Sequence, residues 1–185
     1  LKGGAAYVFA SGLLGDTPAF GLFAALPNGT VIELPTTPTA RLQVIHNSPE
    51  PTVDVYAGNT RLLDNFAFRT ATPFIDVPAD RNITLGVAGE NSASATDAIA
   101  TFDVNLTTGG TFAVTASGIV GNPTTPFTLV VDGNAREAAL SPSQVDFNVL
   151  HGSTDAPAVD IAVVGLGTVI SDLAYPDFTP YLSVD

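Results

Sequence analysis

The chain has 185 residues, with 18 acidic and 6 basic side chains, a formal net charge of −12, and no cysteine, methionine or tryptophan. Its hydrophobic fraction of 45% excludes a disordered chain, and its length suits one large domain or two small ones. The negative charge argues against binding to nucleic acid, no apolar run is long enough for membrane insertion, and the lack of cysteine excludes disulfides and cysteine nucleophiles.

Short β-strands are predicted along the whole chain, because hydrophobic residues recur at every second position. The clearest runs of this alternation lie at 83–87, 98–106, 112–116 and 127–131. Turn-forming residues separate such runs at 27–29, 58–59, 78–80, 108–110 and 132–134. The segment 92–100 allows a short helix, but a loop that leads into a strand is preferred. The pattern therefore predicts an all-β, antiparallel sandwich or barrel.

The chain contains a repeat. Three pairs of segments match one another: 41–55 with 146–161, 66–74 with 173–181, and 8–12 with 114–118. The spacing is close to that between His46 and His151, which lie 105 residues apart. Solenoid repeats have periods of about 20–50 residues, so this longer period indicates a whole domain that is repeated.

The repeat divides the chain into three predicted segments. Residues 1–37 are the closing strands of a preceding module, 38–143 form one complete module, and 144–185 are the opening strands of a following module. Residues 79–105 have no second version in the chain. Because the first residue is Leu and no Met occurs, we expect the chain to be a piece of a longer product.

Three motifs of the complete module occur in order: HNSPEPTVDV at 46–55, FAF followed by TPF within 66–74, and TASG at 115–118. Together they resemble the domain-of-unknown-function family numbered 4397, over 41–140 in full and over both end segments in part. The resemblance implies tandem, immunoglobulin-like β-sandwich domains, secreted or attached to the surface of bacteria and archaea. It implies no reaction. The expected fold is therefore all-β, with one complete and two partial immunoglobulin-like sandwich modules.

His46 and His151 are the only histidines, and alternation places both toward the core at the end of a strand. We expect each imidazole to be half-buried and hydrogen-bonded to the backbone of the loop that follows. The alternative pairs His46 with Asp54 or Glu50 in a metal or acid–base site. The spacing matches no histidine-based zinc signature, so neither a metal ion nor another cofactor is expected.

Asp54 and Asp160 are also equivalent, and alternation places both on the solvent face of a strand, where Asp is disfavoured. We expect their carboxylates to accept N–H groups of the neighbouring loop, which holds Ser48 in the first copy and Ser153 in the second. Calcium ligation is the alternative, although no Asp-rich loop accompanies either residue. With the two histidines, these four residues form a candidate structural motif.

No catalytic residue is predicted, and the chain is not expected to be an enzyme. Serine catalysis needs a base, an orienting acid and a sharply turned nucleophile, and the chain holds no Gly-x-Ser-x-Gly pattern. Asn28, Asn82 and Asn105 begin N-x-T sequons and are candidate glycosylation sites, although chance predicts nearly as many.

The expected function is that of an extracellular structural repeat module in a cell-surface stalk or filament. Its expected partners are other copies of itself, in a tandem array or a head-to-tail homopolymer. The alternative is an adhesin-like module that binds a carbohydrate or protein ligand through loops 47–52 and 153–158. Because the end segments carry complementary parts of one fold, we also expect them to complete one another by strand donation, within one chain or between successive chains.

Overall fold

The computed structural model describes residues 4–185, so the first three residues of the predicted 1–37 segment lie outside the described residues. The described chain is all-β, which confirms the predicted fold class. One turn of 3-10 helix, Ala95–Asp97, precedes a strand that begins at Ala98, so 92–100 is a loop leading into a strand. No helix in the described range is long and apolar enough to cross a membrane.

The strands of the described residues are β1 Tyr7–Ser11, β2 Gly21–Ala25, β3 Val31–Glu33, β4 Thr39–His46, β5 Val53–Ala57, β6 Thr60–Phe66, β7 Ile75–Pro78, β8 Asn82–Gly89, β9 Ala98–Asn105, β10 Thr111–Ser117, β11 Thr128–Asp132, β12 Val145–Phe147, β13 Val159–Val163, β14 Gly167–Leu173 and β15 Leu182–Val184. The chain forms two compact units, Leu1–Thr37 and Pro38–Asp185. The three-segment division drawn from the repeat stays a prediction.

The second unit contains two four-stranded sheets, with strand orders β11-β10-β4-β7 and β6-β5-β8-β9. Alternate residues of both sheets line one apolar core, which includes Leu42, Val53, Val87 and Val114. This arrangement is a β-sandwich, because each sheet turns its hydrophobic face toward the other. The core retains an apolar cavity of about 130 Å³ between the sheets.

One strand pair is an exception to the antiparallel pattern. Strands β4 and β10 lie parallel, with Arg41 opposite Thr111 and His46 opposite Ala116. The chain passes through both sheets between these two strands, so no hairpin joins them. Alternation in sequence encodes which face of a strand is buried, but it does not encode the direction of a partner that is distant in the chain.

The opening strands of the two copies pair in the same way. Strand β4 pairs with β7 and β5 with β6, while β12 pairs with β15 and β13 with β14, all antiparallel. A register shift follows Val53 in the first hairpin and Val159, its equivalent, in the second. The repeated sequence therefore adopts the same local structure, including the same irregularity.

The closing strands also agree between the copies. Gly12 after β1 has φ +93°, and Gly118 after β10 has φ +81°. A Cβ atom at Gly12 would overlap the carbonyl of Ala19, and one at Gly118 would overlap the carbonyl of Pro126. Only glycine combines this backbone conformation with such a close approach, which explains why both copies carry it.

Strands β1 to β3 form an antiparallel sheet of their own, and β12 to β15 form two sheets of their own. Strand completion between the two end segments of one chain stays a prediction, and so does strand donation between successive chains.

Candidate functional site

His46 and His151 make equivalent hydrogen bonds at the ends of β4 and of the matching segment. Nε2 of His46 donates to the carbonyl of Pro51 at 3.1 Å, and Nε2 of His151 donates to the carbonyl of Pro157 at 3.0 Å. A carbonyl only accepts, so the proton is assigned to Nε2 in both rings. Both imidazoles are buried rather than half-buried. The Phe66 ring packs on that of His46, with 5.8 Å between the ring centroids.

The remaining ring nitrogen, Nδ1, is buried without a hydrogen-bond partner in both His46 and His151. Burial lowers the pKa of His46 and outweighs the opposing effect of the Pro51 carbonyl. His46 is thus a neutral imidazole at neutral pH. It lines the core cavity, on the opposite side of β5 from Asp54, and no hydrogen bond joins the two side chains. Nδ1 has no partner and Nε2 bonds to Pro51, so neither Asp54 nor Glu50 is hydrogen-bonded to His46.

Asp54 is fully buried, so its predicted solvent-exposed position is wrong. Oδ1 accepts the N–H of Asn65 at 2.7 Å, while Oδ2 accepts the N–H and the hydroxyl of Ser92 at 2.9 and 2.6 Å. Nη1 of Arg61 lies 3.7 Å from Oδ2. The donors come from the β6 bulge and from the loop after β8, not from the Ser-Pro loop that was predicted.

The environment of Asp54 keeps its carboxylate ionised. Burial raises the pKa of Asp54, but the hydrogen bonds from Asn65 and Ser92, with the charge of Arg61, together lower it below the ordinary value. Asn65 has φ +50°, a left-handed conformation that Asn tolerates better than most residues. The carboxylate therefore fixes an irregular strand and ties it to the neighbouring loop.

Asp160 repeats half of this arrangement. Its Oδ1 accepts the N–H of Asp172 at 2.9 Å, and Asp172, the equivalent of Asn65, has φ +55°. Asp160 stays exposed, because the segment that supplies Ser92 in the complete module has no second version in the chain. Here too the donor belongs to the strand bulge rather than to the Ser-Pro loop.

Ser48 closes one end of the sandwich. It is fully buried, and its hydroxyl lies 2.7 Å from the carbonyl of Gly118 and 3.2 Å from that of Glu50. The adjacent N–H of Asn47 donates to the carbonyl of Ala116 at 2.8 Å. Strand β4 is thereby held to the end of β10.

Ser153, the equivalent of Ser48, is exposed, and its hydroxyl donates to Oδ1 of Asp155 at 3.2 Å. The two serines differ because no strand in 144–185 corresponds to β10, so Ser153 has no equivalent of the Gly118 carbonyl as its acceptor.

The three candidate glycosylation residues, Asn28, Asn82 and Asn105, are all exposed. Asn82 and Asn105 are direct partners across the β8–β9 pair, so their side chains leave the sheet side by side. No group of three or more His, Asp or Glu side chains is arranged to hold a metal ion within residues 4–185.

Sequence reasoning identified the acceptors of this network but missed most of its donors. Asn65 and Asp172 stand at equivalent positions beside a strand end, and that recurrence of Asn and Asp was a usable signal for positive φ. Ser92 carried no such signal, because its segment occurs once. The network as a whole binds loops to strands.

No curated protein and no solved structure matches this chain. The family model described as "Domain of unknown function (DUF4397)" matches residues 40–162. The match begins in β4, covers the complete sandwich and extends through most of β13. It agrees with the family that the three ordered motifs indicated. Because it covers most of the sequence, the chain belongs to the DUF4397 family.

Proposed function

We propose that this chain is a non-catalytic, extracellular structural repeat module of a cell-surface stalk or filament. One observation carries the proposal: the recurring polar residues serve the fold in both copies. The two histidines bond to proline carbonyls, and Asp54 and Asp160 bond to the N–H groups of equivalent bulges. A motif that recurs for its internal bonds is what a repeated scaffold requires.

We further propose that modules of neighbouring copies complete one another through strands β1 and β12. Strands β1 and β12 are the counterparts of β10 and β4, which pair in parallel inside the complete module. Each of the two is an edge strand in its own sheet. An unpaired edge presents a row of free N–H and carbonyl groups, which favours pairing with another chain.

The sheet that contains β1 also has an uncovered hydrophobic surface. Val8 on β1 is 55% exposed, whereas Val114, its equivalent on β10, is buried. In the complete module the equivalents of this sheet pack against a second sheet. A β4-type strand from another copy would extend the β1 sheet at its free edge, and the second sheet of that copy would then be placed to cover that surface.

The free edge of the β12 segment can be located at single N–H groups. Val149 and His151 direct their N–H groups toward the β15 side, to the Thr179 hydroxyl and the Asp177 carbonyl. The N–H of Leu150, between them, points to the opposite edge, because successive residues of a strand alternate in this respect. Leu150 is therefore the position at which pairing with β1 can be blocked.

The experiment compares the full chain with Leu150→Pro and Leu150→Ala variants by sedimentation and negative-stain electron microscopy over rising concentration. Proline removes the edge N–H, whereas alanine removes only the side chain. We expect head-to-tail polymers from the wild type and from Leu150→Ala, but not from Leu150→Pro. A monomeric wild type, or polymers of undiminished length from the proline variant, would contradict strand completion.

Immunogold electron microscopy of native cells tests the location, with surface label expected along extended structures. Binding of the full chain to a glycan array would instead support the adhesin-like alternative, provided that Glu50→Ala and Asp155→Ala in loops 47–52 and 153–158 abolish it. Purely intracellular label would overturn the proposed extracellular role.

A further inference from the structure

We propose that the second unit is a fixed pair of modules, in which Arg136 and Glu137 clamp equivalent positions of two successive copies. This inference rests on the proposed organisation as a structural repeat. Both clamp residues belong to the complete module, 38–143. Glu137 binds within that module, whereas Arg136 reaches across the junction, which is the set of contacts between 38–143 and 144–185.

The clamp consists of two neighbouring residues of opposite charge. Glu137 binds Arg41 through two hydrogen bonds, Nε to Oε1 and Nη2 to Oε2, both 2.7 Å long. Nη1 of Arg136 lies 2.5 Å from Oδ2 of Asp146, and its guanidinium carbon lies 4.5 Å from the centre of the Tyr181 ring. Each module thus supplies one charged partner, Arg41 or Asp146, to the adjacent residues 136 and 137.

The two partners occupy the same position in the repeat. Arg41 opens the first matching segment and Asp146 opens the second. Their opposite charges assign each to one residue of the clamp, because Asp146 facing Glu137, or Arg41 facing Arg136, would place like charges together. Asp146 is nearly buried, with its side chain 2% exposed, and it also accepts the N–H of Leu140 at 3.0 Å.

A second contact at the junction also joins equivalent positions. Nδ2 of Asn47 donates to the carbonyl of Gly152 at 2.8 Å. A Cβ atom at residue 152 would overlap Nδ2 of Asn47, so any side chain there would displace this amide and break the bond. Nearby, Nδ2 of Asn148 donates to Oδ2 of Asp132 at 2.8 Å.

The outer faces of β4 and of its counterpart therefore meet. Ile45 and Leu150, which are equivalent, line the same gap of about 310 Å³ at the junction. Because the same face of each module forms this contact, neither module of the pair has that face free to bind a third module. The pair of modules is then the unit that an array repeats.

The segment 1–37 does not carry the residues of the clamp. At the 106-residue spacing of Val8 and Val114, the counterparts of Arg136 and Glu137 are Thr30 and Val31, which are uncharged. They are no substitute for the charges of Arg136 and Glu137. The clamp is thus a property of the junction after residue 143, and it specifies which neighbours form a fixed pair.

Pulsed electron–electron spin resonance of the full chain tests the fixed pair, and the absence of cysteine permits specific labelling. One label is placed at Thr101→Cys, exposed on β9, and the other at Val164→Cys, fully exposed between β13 and β14. We expect a single narrow distance distribution. Arg136→Glu should broaden it at least about twofold, because two carboxylates then face each other.

The double variant Arg136→Glu with Asp146→Arg should narrow the distribution again, while Arg81→Glu, the same charge change on the exposed turn before β8, should leave it unchanged. Gly152→Val is a second disruption that leaves the charges intact and should also broaden it. Circular dichroism checks that each variant is folded. A broad wild-type distribution, or no broadening in either disruptive variant, would overturn the fixed pair.

This outcome is separable from that of the proposed function. A narrow distribution in a chain that is not found at the cell surface would reject the extracellular stalk and keep the fixed pair. Surface filaments built from chains with a broad distance distribution would reject the fixed pair and keep the extracellular stalk.

Discussion

At the scale of single residues, one carboxylate motif appears in two environments within the same molecule. Asp54 is buried and accepts three hydrogen bonds, whereas Asp160 is exposed and accepts one from the equivalent bulge. The shared bond, to a residue with positive φ, identifies the common role of the motif. The additional bonds to Ser92 reflect the completeness of the module around Asp54.

Replacement of Asp54 by Asn should destabilise the complete module strongly. The amide oxygen can still accept the N–H of Asn65, but the amide nitrogen would face the two donors of Ser92. We expect a loss of about 1–3 kcal/mol in the free energy of unfolding, measured by urea denaturation. Asp160→Asn is the matched control and should change stability by less than about 0.5 kcal/mol, since its site is exposed. Equal losses in the two variants would reject the role assigned to Ser92.

The buried imidazole of His46 predicts a dependence of stability on pH. Its pKa in the folded protein lies below the ordinary value of 6.5, mainly because of burial. The unfolded chain therefore takes up the proton first as pH falls. The contribution of neutral His46 to the free energy of unfolding is fully present above about pH 6.5 and decreases below it.

Urea midpoints of the wild type and of His46→Gln, measured at about pH 7.5 and pH 5.5, check this dependence. The glutamine amide can still donate to the Pro51 carbonyl but does not titrate, so this variant should show the smaller decrease. A variant that is as sensitive to pH as the wild type would assign the decrease to other groups.

At the scale of elements, the sandwich depends on polar closures at the ends of its strands as well as on its apolar core. Ser48 joins the end of β4 to the turn after β10, where Gly118 holds a backbone conformation that favours glycine. No hairpin joins the parallel strands β4 and β10. The hydrogen bond from the Ser48 hydroxyl therefore helps to hold their ends together.

Ser48→Ala should remove this closure and leave the Gly118 carbonyl without its partner. We expect a loss of about 1–2 kcal/mol in the free energy of unfolding, measured calorimetrically or in urea. Ser153→Ala is the matched control. It removes the same hydroxyl from an exposed loop and should stay within about 0.5 kcal/mol of the wild type. An undiminished stability of Ser48→Ala would show that the closure is unimportant.

The same elements show what sequence reasoning reached and where it stopped. Alternation placed His46 toward the core and placed β8 to β11 within a residue or two, because those properties depend on local periodicity. The parallel pairing of β4 and the burial of Asp54 depend on segments far away in the chain. The Arg136–Asp146 contact was equally inaccessible, although the two residues are only 10 positions apart, because alternation does not encode the path of the chain between β11 and β12.

At the scale of the whole molecule, burial is distributed unevenly. The complete module contains most of the buried hydrophobic residues, among them Ala40, Val53, Ala88 and Leu106. In the first unit, the described strands bury only Gly21 and Ala24, and β3 is exposed throughout. A three-stranded sheet with so little buried surface has little stability of its own.

Native-state hydrogen exchange should reveal this difference directly. We expect amides of β1 to β3 to exchange at least about a hundredfold faster than those of β10, because local opening costs less where few apolar contacts are broken. Strands β1 and β10 are sequence equivalents, so intrinsic differences between them are small and burial dominates. If neighbouring copies supply the missing strand, protection of β1 should rise with protein concentration in the wild type but not in Leu150→Pro. Equal, concentration-independent protection of β1 and β10 would mean that the closing strands are stable alone, which removes the physical reason for a partner.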